Sequence, residues 1–297
     1  MPLRLVAAWI ARSRLYLNLI RWDGPAGWLL LLWPTLSALW IASKGFPGWH
    51  LLSVFVAGTI LMRSAGCCIN DVADRNFDRH VKRTALRPVT SGIISPQEAL
   101  GVGAILALLA LGCALTTRFE VVLWAIPAFV ITLIYPYTKR FLSMPQAILG
   151  VAFSMGIPMA FVASDVIAWY ASSHVWCLIA GNLCWVLAYD TQYAMVDRDD
   201  DRQIGLHTSA ITFGDWDVSA VMTFYVLHLG LWWWVGHAMG FGPWFYVGVA
   251  VAALQVLWHY QLIRQRTRDG CFKAFTLNHW MGMSIFIGLA IEIGLRA

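Results

Sequence analysis

The sequence predicts an all-α integral membrane protein in which nine helices cross the bilayer. Three observations carry that expectation. Charged residues make up only 12% of the 297-residue chain and apolar ones 59%, whereas a soluble domain is about a quarter charged. Apolar runs of roughly the 20 residues a bilayer requires recur from end to end. Seventeen tryptophans suit anchoring at the membrane interface. Helices are the expected element because a chain in lipid has to satisfy its own backbone hydrogen bonds.

Residues 1–24 mix Arg4, Arg12, Arg14 and Arg21 with apolar residues and offer no clean apolar core before a small-residue cleavage site. They are expected to form an interfacial amphipathic helix rather than a signal peptide. Spans follow at 26–43, 51–70, 97–115, 119–136, 146–163, 172–190, 218–237, 241–259 and 275–294. Ser95-Pro96-Gln97-Glu98 reads as an N-cap, a proline at the first helical position and a capping-box glutamate. Gly-Pro pairs at 24–25 and 242–243 mark turns. Trp232, Trp233 and Trp234 are expected at the lipid or its interface. The six cysteines show no paired metal spacing and read as reduced packing residues. The whole chain, 1–297, reads as one transmembrane domain.

Charge sets the orientation. All but three of the basic residues outside the spans fall on one side: those of the N-terminal segment, Arg75, Arg79, Lys82, Arg83 and Arg87 after span two, Lys139 and Arg140 after span four, Arg198 and Arg202 after span six, and Arg264, Arg266, Arg268 and Lys273 after span eight. Only Lys44, Arg118 and Arg296 oppose them. The positive-inside rule puts the N-terminus in the cytoplasm and the C-terminus outside. Arg264, Arg266 and Arg268 are expected to meet anionic headgroups.

Two acidic clusters lie on that basic side. Asp74-Arg75-Asn76-Phe77-Asp78-Arg79 and Asp197-Arg198-Asp199-Asp200-Asp201-Arg202 share the pattern D-R-x-x-D-R. Each follows the cytoplasmic end of a span, and four spans separate them. An even number preserves direction, so the pattern suggests a parallel four-helix repeat with one helix added. At about 100° per residue, Asp71, Asp74 and Asp78 fall within roughly 60° on one helix face, with Asn70 and Arg63 extending it. Asp190, Asp197 and Asp201 fall within roughly 40°, while Asp199 points away. Carboxylates stacked this closely repel unless a cation stands between them. Their natural partner is a hard divalent ion such as Mg²⁺, which takes carboxylate, phosphate and water oxygens. The interleaved Arg75, Lys82, Arg83 and Arg87 suit the remaining charge of a phosphate. The pattern fits a metal-diphosphate at the cytoplasmic mouth of an apolar cavity. Arg63, inside span two, either neutralises the first cluster or forms an internal salt bridge. Lys139 and Arg140 also fit ordinary positive-inside charges.

The stretches "GCCINDVADRNFDRHVKRTALRPVTSG" and "YDTQYAMVDRDDDRQIGLHTSAITFG" closely resemble the two aspartate-rich motifs of the UbiA superfamily of membrane prenyltransferases. "YPYTKRFLSMPQ" and "LLLLWPTLSALW" extend the resemblance over nearly the whole chain. It implies nine helices around a central cavity with a lateral opening to lipid, and Mg²⁺ bridging a prenyl diphosphate to both motifs. It assigns Asn70, Asp71, Asp74 and Asp78 to one metal site and Asp197 and Asp201 to the other. Arg21, Lys139 and Arg140 match basic positions tied to the aromatic acid or the diphosphate. The wording of the motifs points to a polyprenyl diphosphate donor and 4-hydroxybenzoate as acceptor, in ubiquinone synthesis at a bacterial inner membrane. Arg140 is the first choice for the acceptor carboxylate, because a guanidinium can grip it with two parallel hydrogen bonds. The partners implied are these substrates and membrane lipids, with no nucleic acid. Two other readings stand beside this one. One is a prenyltransferase with an acceptor of menaquinone, haem or tocopherol type; the other is a cation-coupled transporter, which would keep its acids near the midplane on broken helices.

Overall fold

The computed structural model describes residues 12–296. It is helical throughout: α1 (residues 12–19), α2 (Ala26–Ser43), α3 (Trp49–Asp78), α4 (Pro96–Leu115), α5 (Phe119–Thr138), α6 (Pro145–Ser154), α7 (Gly156–Ala163), α8 (Ser173–Gln203), α9 (Ser209–Phe213), α10 (Asp217–Ala238), α11 (Pro243–Ile263) and α12 (Arg268–Gly294). Of the expected interfacial segment, residues 1–11, Arg4 among them, lie outside the described residues.

The long elements match the expected spans. Each packs on the next from α2 to α6, then α6 on α8, α8 on α10, α10 on α11 and α11 on α12, and α12 closes the ring on α2. Among the described residues eight spans are long and apolar enough to cross a membrane. The 31-residue α8 is the ninth long helix of the ring; Asn182 and Asp190 on it are buried inside the bundle rather than turned to lipid. Large apolar residues such as Ile105, Leu108, Phe119 and Leu254 stay exposed on the outside, as a lipid-facing surface requires. The chain is therefore a multi-pass membrane protein.

Two departures from the expected spans have local causes. Span five is not one helix but α6 and α7, broken at Met155. Pro158 has no N–H to give the Ser154 carbonyl, so the helical ladder cannot run through. Gly156 meets Thr35 there, and a Cβ would lie 2.3 Å from the Thr35 hydroxyl. Helix α3 runs on to Asp78, and α8 to Gln203. Helices of 30 and 31 residues exceed the roughly 20 a bilayer requires, so their last turns carry both acidic motifs to the same end of the bundle.

Ser95 caps α4 as expected, accepting the Glu98 amide at 3.2 Å. The Glu98 carboxylate does not complete a capping box. It accepts from Tyr16 at 2.5 Å and from Arg12, which holds α1 against α4.

Candidate active site

One cavity of about 1060 Å³ opens between α2, α3, α4, α5, α6, α7 and α8. Much of its wall on α4 and α5 is small or apolar, with Ala104, Ala107, Leu111, Ala125 and Phe129. Its charged end is built by the C-terminal turns of α3 and α8. Asn70, Asp71, Asp74, Asp78, Asp197 and Asp201 all line it, and the five aspartates are 8% exposed or less. The helical phasing of both motifs therefore brings these six residues to one space. Asp199 points out, its side chain 83% exposed.

Cations are interleaved among these acids. Arg21 donates to Asp71 at 2.6 Å. It sits just beyond α1 at φ 55°, a left-handed conformation uncommon for a residue with a Cβ. Arg87 reaches Asp71 at 3.1 Å and Asp78 at 2.8 Å. Lys139, at the C-cap of α5, donates to Asp74 at 2.6 Å. Burial opposes the charge of Lys139, but Asp74 and Tyr135 outweigh it and hold its pKa above the ordinary lysine value. The Lys139 carbonyl in turn accepts the His207 amide at 3.0 Å, so the loop after α8 supports that position. Arg83 donates from Nε to both oxygens of Asp197. Burial again works against its charge, while Tyr193 and Asp197 raise its pKa above the usual arginine value.

Arg140 does not enter the cavity. It is exposed, donates to the Ala73 carbonyl at 3.1 Å, and lies over the rings of Phe77 and Tyr137. The first choice for the acceptor carboxylate thus supports the end of α3 from outside. The reason is local: Lys139 caps α5 on the cavity side, and the turn that follows carries Arg140 round to the outer side, against the end of α3. Arg75 and Lys82 likewise do not line the cavity; the Lys82 amide donates to Asp200 at 3.3 Å. Arg266 and Arg268 are also not free for headgroups. Arg266 donates to Asp217 at 2.8 Å, and Arg268 grips Asp200 with two bonds of 3.0 Å.

Three further cavity residues stand outside these acid–cation pairs. Arg63 lines the cavity and forms neither of the expected pairs. It donates to the Gly27 carbonyl at 3.3 Å and to Cys67 Sγ at 3.2 Å, with no carboxylate partner among the described residues. Asp190, deeper on α8 and in phase with Asp197 and Asp201, has no hydrogen bond or ion pair among the described residues. Tyr189 has a buried hydroxyl with no hydrogen-bond partner among the described residues.

Among the described residues no three carboxylate, imidazole or thiolate groups converge as a ready metal cluster. The donor set is nevertheless all oxygen, and each ion-paired acid already faces a cation. A divalent ion could take the carboxylates while an anionic ligand takes the released guanidinium and ammonium groups. The residues fit a metal-diphosphate better than a bare metal.

Comparison with known proteins settles the family. The model of the UbiA prenyltransferase family matches residues 31–282. The chain belongs to the UbiA prenyltransferase family. Within it, the chain is 63% identical over 291 residues to the 4-hydroxybenzoate octaprenyltransferase of Paracidovorax citrulli, covering 96% of each chain. It is 61% identical to the protein of that name from Polaromonas sp., covering 94% of this chain and 96% of that one. Among solved structures, a UbiA homolog from Aeropyrum pernix K1 matches with TM-score 0.77 at 24% identity, over 89% of this chain and 97% of the other. A UbiA homolog from Archaeoglobus fulgidus bound to DMAPP and Mg²⁺ matches with TM-score 0.68 at 17% identity, over 95% and 99%. The UbiA fold thus extends over nearly the whole chain.

Proposed function

We propose that this UbiA family member transfers a polyprenyl group from polyprenyl diphosphate to the ring carbon ortho to the hydroxyl of 4-hydroxybenzoate. Diphosphate is released, and the reaction serves ubiquinone synthesis. The observation that carries the reading is one cavity with interleaved acids and cations at one end and a small-residue apolar wall along α4 and α5. Near-full-length relatives of over 60% identity are named for this activity.

The residues divide the work. Arg21, Arg83, Arg87 and Lys139 bind the donor diphosphate and hold its growing negative charge as the allylic C–O bond breaks. Asn70, Asp71, Asp74, Asp78, Asp197 and Asp201 would hold Mg²⁺, which when bound supplies further positive charge to the leaving group. The apolar wall takes the prenyl chain and excludes water from the allylic cation. Arg63, the cavity guanidinium without a carboxylate partner, binds the acceptor carboxylate and fixes the ring so that its ortho carbon faces the cation. Such positioning is worth several kcal/mol of barrier, at most about 7–11. The whole chain acts as one transmembrane domain in a bacterial inner membrane, with the N-terminus and the charged mouth cytoplasmic and the C-terminus outside. The basic residues cluster on that side.

The test is to incubate membranes carrying the protein with Mg²⁺, labelled polyprenyl diphosphate and a panel of aromatic acceptors. The expected product is 4-hydroxybenzoate prenylated ortho to its hydroxyl, with phenol and 4-hydroxybenzamide poor acceptors. A product formed only from an acceptor of menaquinone, haem or tocopherol type would reassign the substrate.

A further inference from the structure

We infer that Asp200 is a positioning residue for Arg83. With Arg268 behind it, it keeps the loop after α3 on α8 while the metal-diphosphate takes Asp197 away from Arg83. The inference rests on the function proposed above and adds to it two residues that act through Arg83.

The loop after α3 is attached to α8 at two successive points. The Lys82 amide donates to Asp200 Oδ2 at 3.3 Å, and the Arg83 guanidinium donates to Asp197. Asp197 and Asp200 stand three residues apart on one continuous helix, so they are neighbours on its surface. The two attachments differ in kind. Asp197 and Arg83 line the cavity; Asp200 and Lys82 do not. A metal that claims Asp197 breaks the Arg83 pair and leaves the Lys82 bond whole. Consecutive Cα atoms are about 3.8 Å apart, so an anchored Lys82 amide holds the released Arg83 at the mouth, where the diphosphate takes it.

Asp200 is 6% exposed, and a buried carboxylate has to be paired. Arg268 pairs it with two bonds of 3.0 Å, one to each oxygen. Such a fork fixes the plane of the carboxylate, and with it the Oδ2 that also takes the Lys82 amide. Stapling α12 to α8 needs Asp200 and Arg268 alone. The bond to the Lys82 amide is what extends the contact to the residue beside Arg83.

Arg268 stands on a firm mount. It is the first residue of α12, where the helix dipole disfavours a cation, so the pair with Asp200 is held against that tendency. The Thr267 hydroxyl caps the helix by accepting the Gly270 amide at 3.2 Å. A Cβ on Gly270 would lie 2.3 Å from the Leu262 carbonyl, so this turn packs directly on the end of α11. Arg266, two residues earlier, takes φ 54°, which a residue with a Cβ seldom adopts. From there it donates at 2.8 Å to Asp217, fully buried at the start of α10. The turn between α11 and α12 is thus pinned to α10 and to α8, and through Asp200 it fixes the loop that carries Arg83.

The experiment is a double-mutant cycle on the full-length protein in membranes, read as kcat and KM for both substrates with Mg²⁺. Asp200→Ala should raise the KM for polyprenyl diphosphate about tenfold, the size of one lost charged hydrogen bond, and leave the KM for 4-hydroxybenzoate unchanged. In the Arg83→Ala background the same substitution should change the KM for the diphosphate by less than about twofold, because nothing is left to position. Arg268→Ala should show the same pattern at smaller size. Its side chain is 37% exposed, so it keeps the cycle readable if Asp200→Ala fails to fold. At saturating prenyl diphosphate, the Mg²⁺ requirement of Asp200→Ala should match that of wild type. Equal KM effects with and without Arg83 would reduce the contact to a helix staple and overturn the inference. A raised Mg²⁺ requirement would make Asp200 a metal ligand and overturn it too. A wild type that prenylates no aromatic acid would overturn the proposed function and this inference with it, whereas an additive cycle in an active wild type overturns the inference alone.

Discussion

Arg83 grips Asp197 across the charged mouth: its Nε lies 3.2 Å from each carboxylate oxygen, and its guanidinium covers the Tyr193 ring at 4.4 Å. Arg83 belongs to the loop after α3 and Asp197 to α8, so the contact ties the two acidic motifs together. Arg83→Ala should raise the KM for polyprenyl diphosphate more than that for 4-hydroxybenzoate. Arg83→Lys should not restore it, because an ammonium can neither fork onto a carboxylate nor stack in the same way. Steady-state kinetics on both substrates decide this. A defect confined to 4-hydroxybenzoate would move Arg83 to the acceptor.

Asp74→Asn and Asp201→Asn should each lower turnover by on the order of 100-fold while the protein still inserts and folds. Both side chains are buried in the cavity wall. Asp199 is exposed, and Asp199→Asn should stay within about 0.5 kcal/mol of wild-type stability and near wild-type activity. Equal damage from Asp199→Asn and Asp201→Asn would show that the motif turns differently from the helix described.

Arg63 and Arg140 make opposite predictions. Arg63→Ala should raise the KM for 4-hydroxybenzoate far more than that for the prenyl diphosphate. Arg140 braces Ala73 and Phe77, the neighbours of Asp74 and Asp78. Arg140→Ala should lower kcat and raise the metal concentration needed, with little change confined to the acceptor. Metal titrations of both variants separate the two roles.

Behind the second motif, Tyr225 joins Gln192, His259 and Asn278 in a buried network. Gln192 donates to Tyr225 at 2.8 Å, Tyr225 reaches Asn278 at 2.8 Å and His259 at 2.9 Å, and Asn278 returns a bond to Gln192 at 2.9 Å. All four residues are fully buried. The network holds α8 against α10, α11 and α12, and so fixes the register of Asp197 and Asp201. Tyr225→Phe leaves polar partners unsatisfied and should cost about 1–3 kcal/mol, read as a lower thermal midpoint. An unchanged midpoint would mean that the helices are held by packing alone.

These residues also show what was legible in the sequence. Spans were visible because lipid imposes one composition and one length on each of them. The acidic faces were visible because helical phase fixes direction along a continuous helix, and both motifs stay helical through Asp78 and Asp201. Phase is not fixed beyond a helix end, so the preference for Arg140 rests on guanidinium chemistry alone, and the structure puts Lys139 at the cavity instead. The break at Met155 depends on Pro158 and on the close packing of Gly156 against Thr35, a contact between distant segments. The partners of Arg266 and Arg268 are distant too: a positive-inside charge and a helix staple look alike until Asp217 and Asp200 are placed beside them.

The central claim is that both acidic motifs act together on one metal-diphosphate. The most direct measurement is the rate of 4-hydroxybenzoate prenylation by purified protein, first in excess chelator with carry-over metal removed, then on adding back Mg²⁺. The account predicts no product in chelator and full recovery with Mg²⁺. Full turnover in chelator would contradict it.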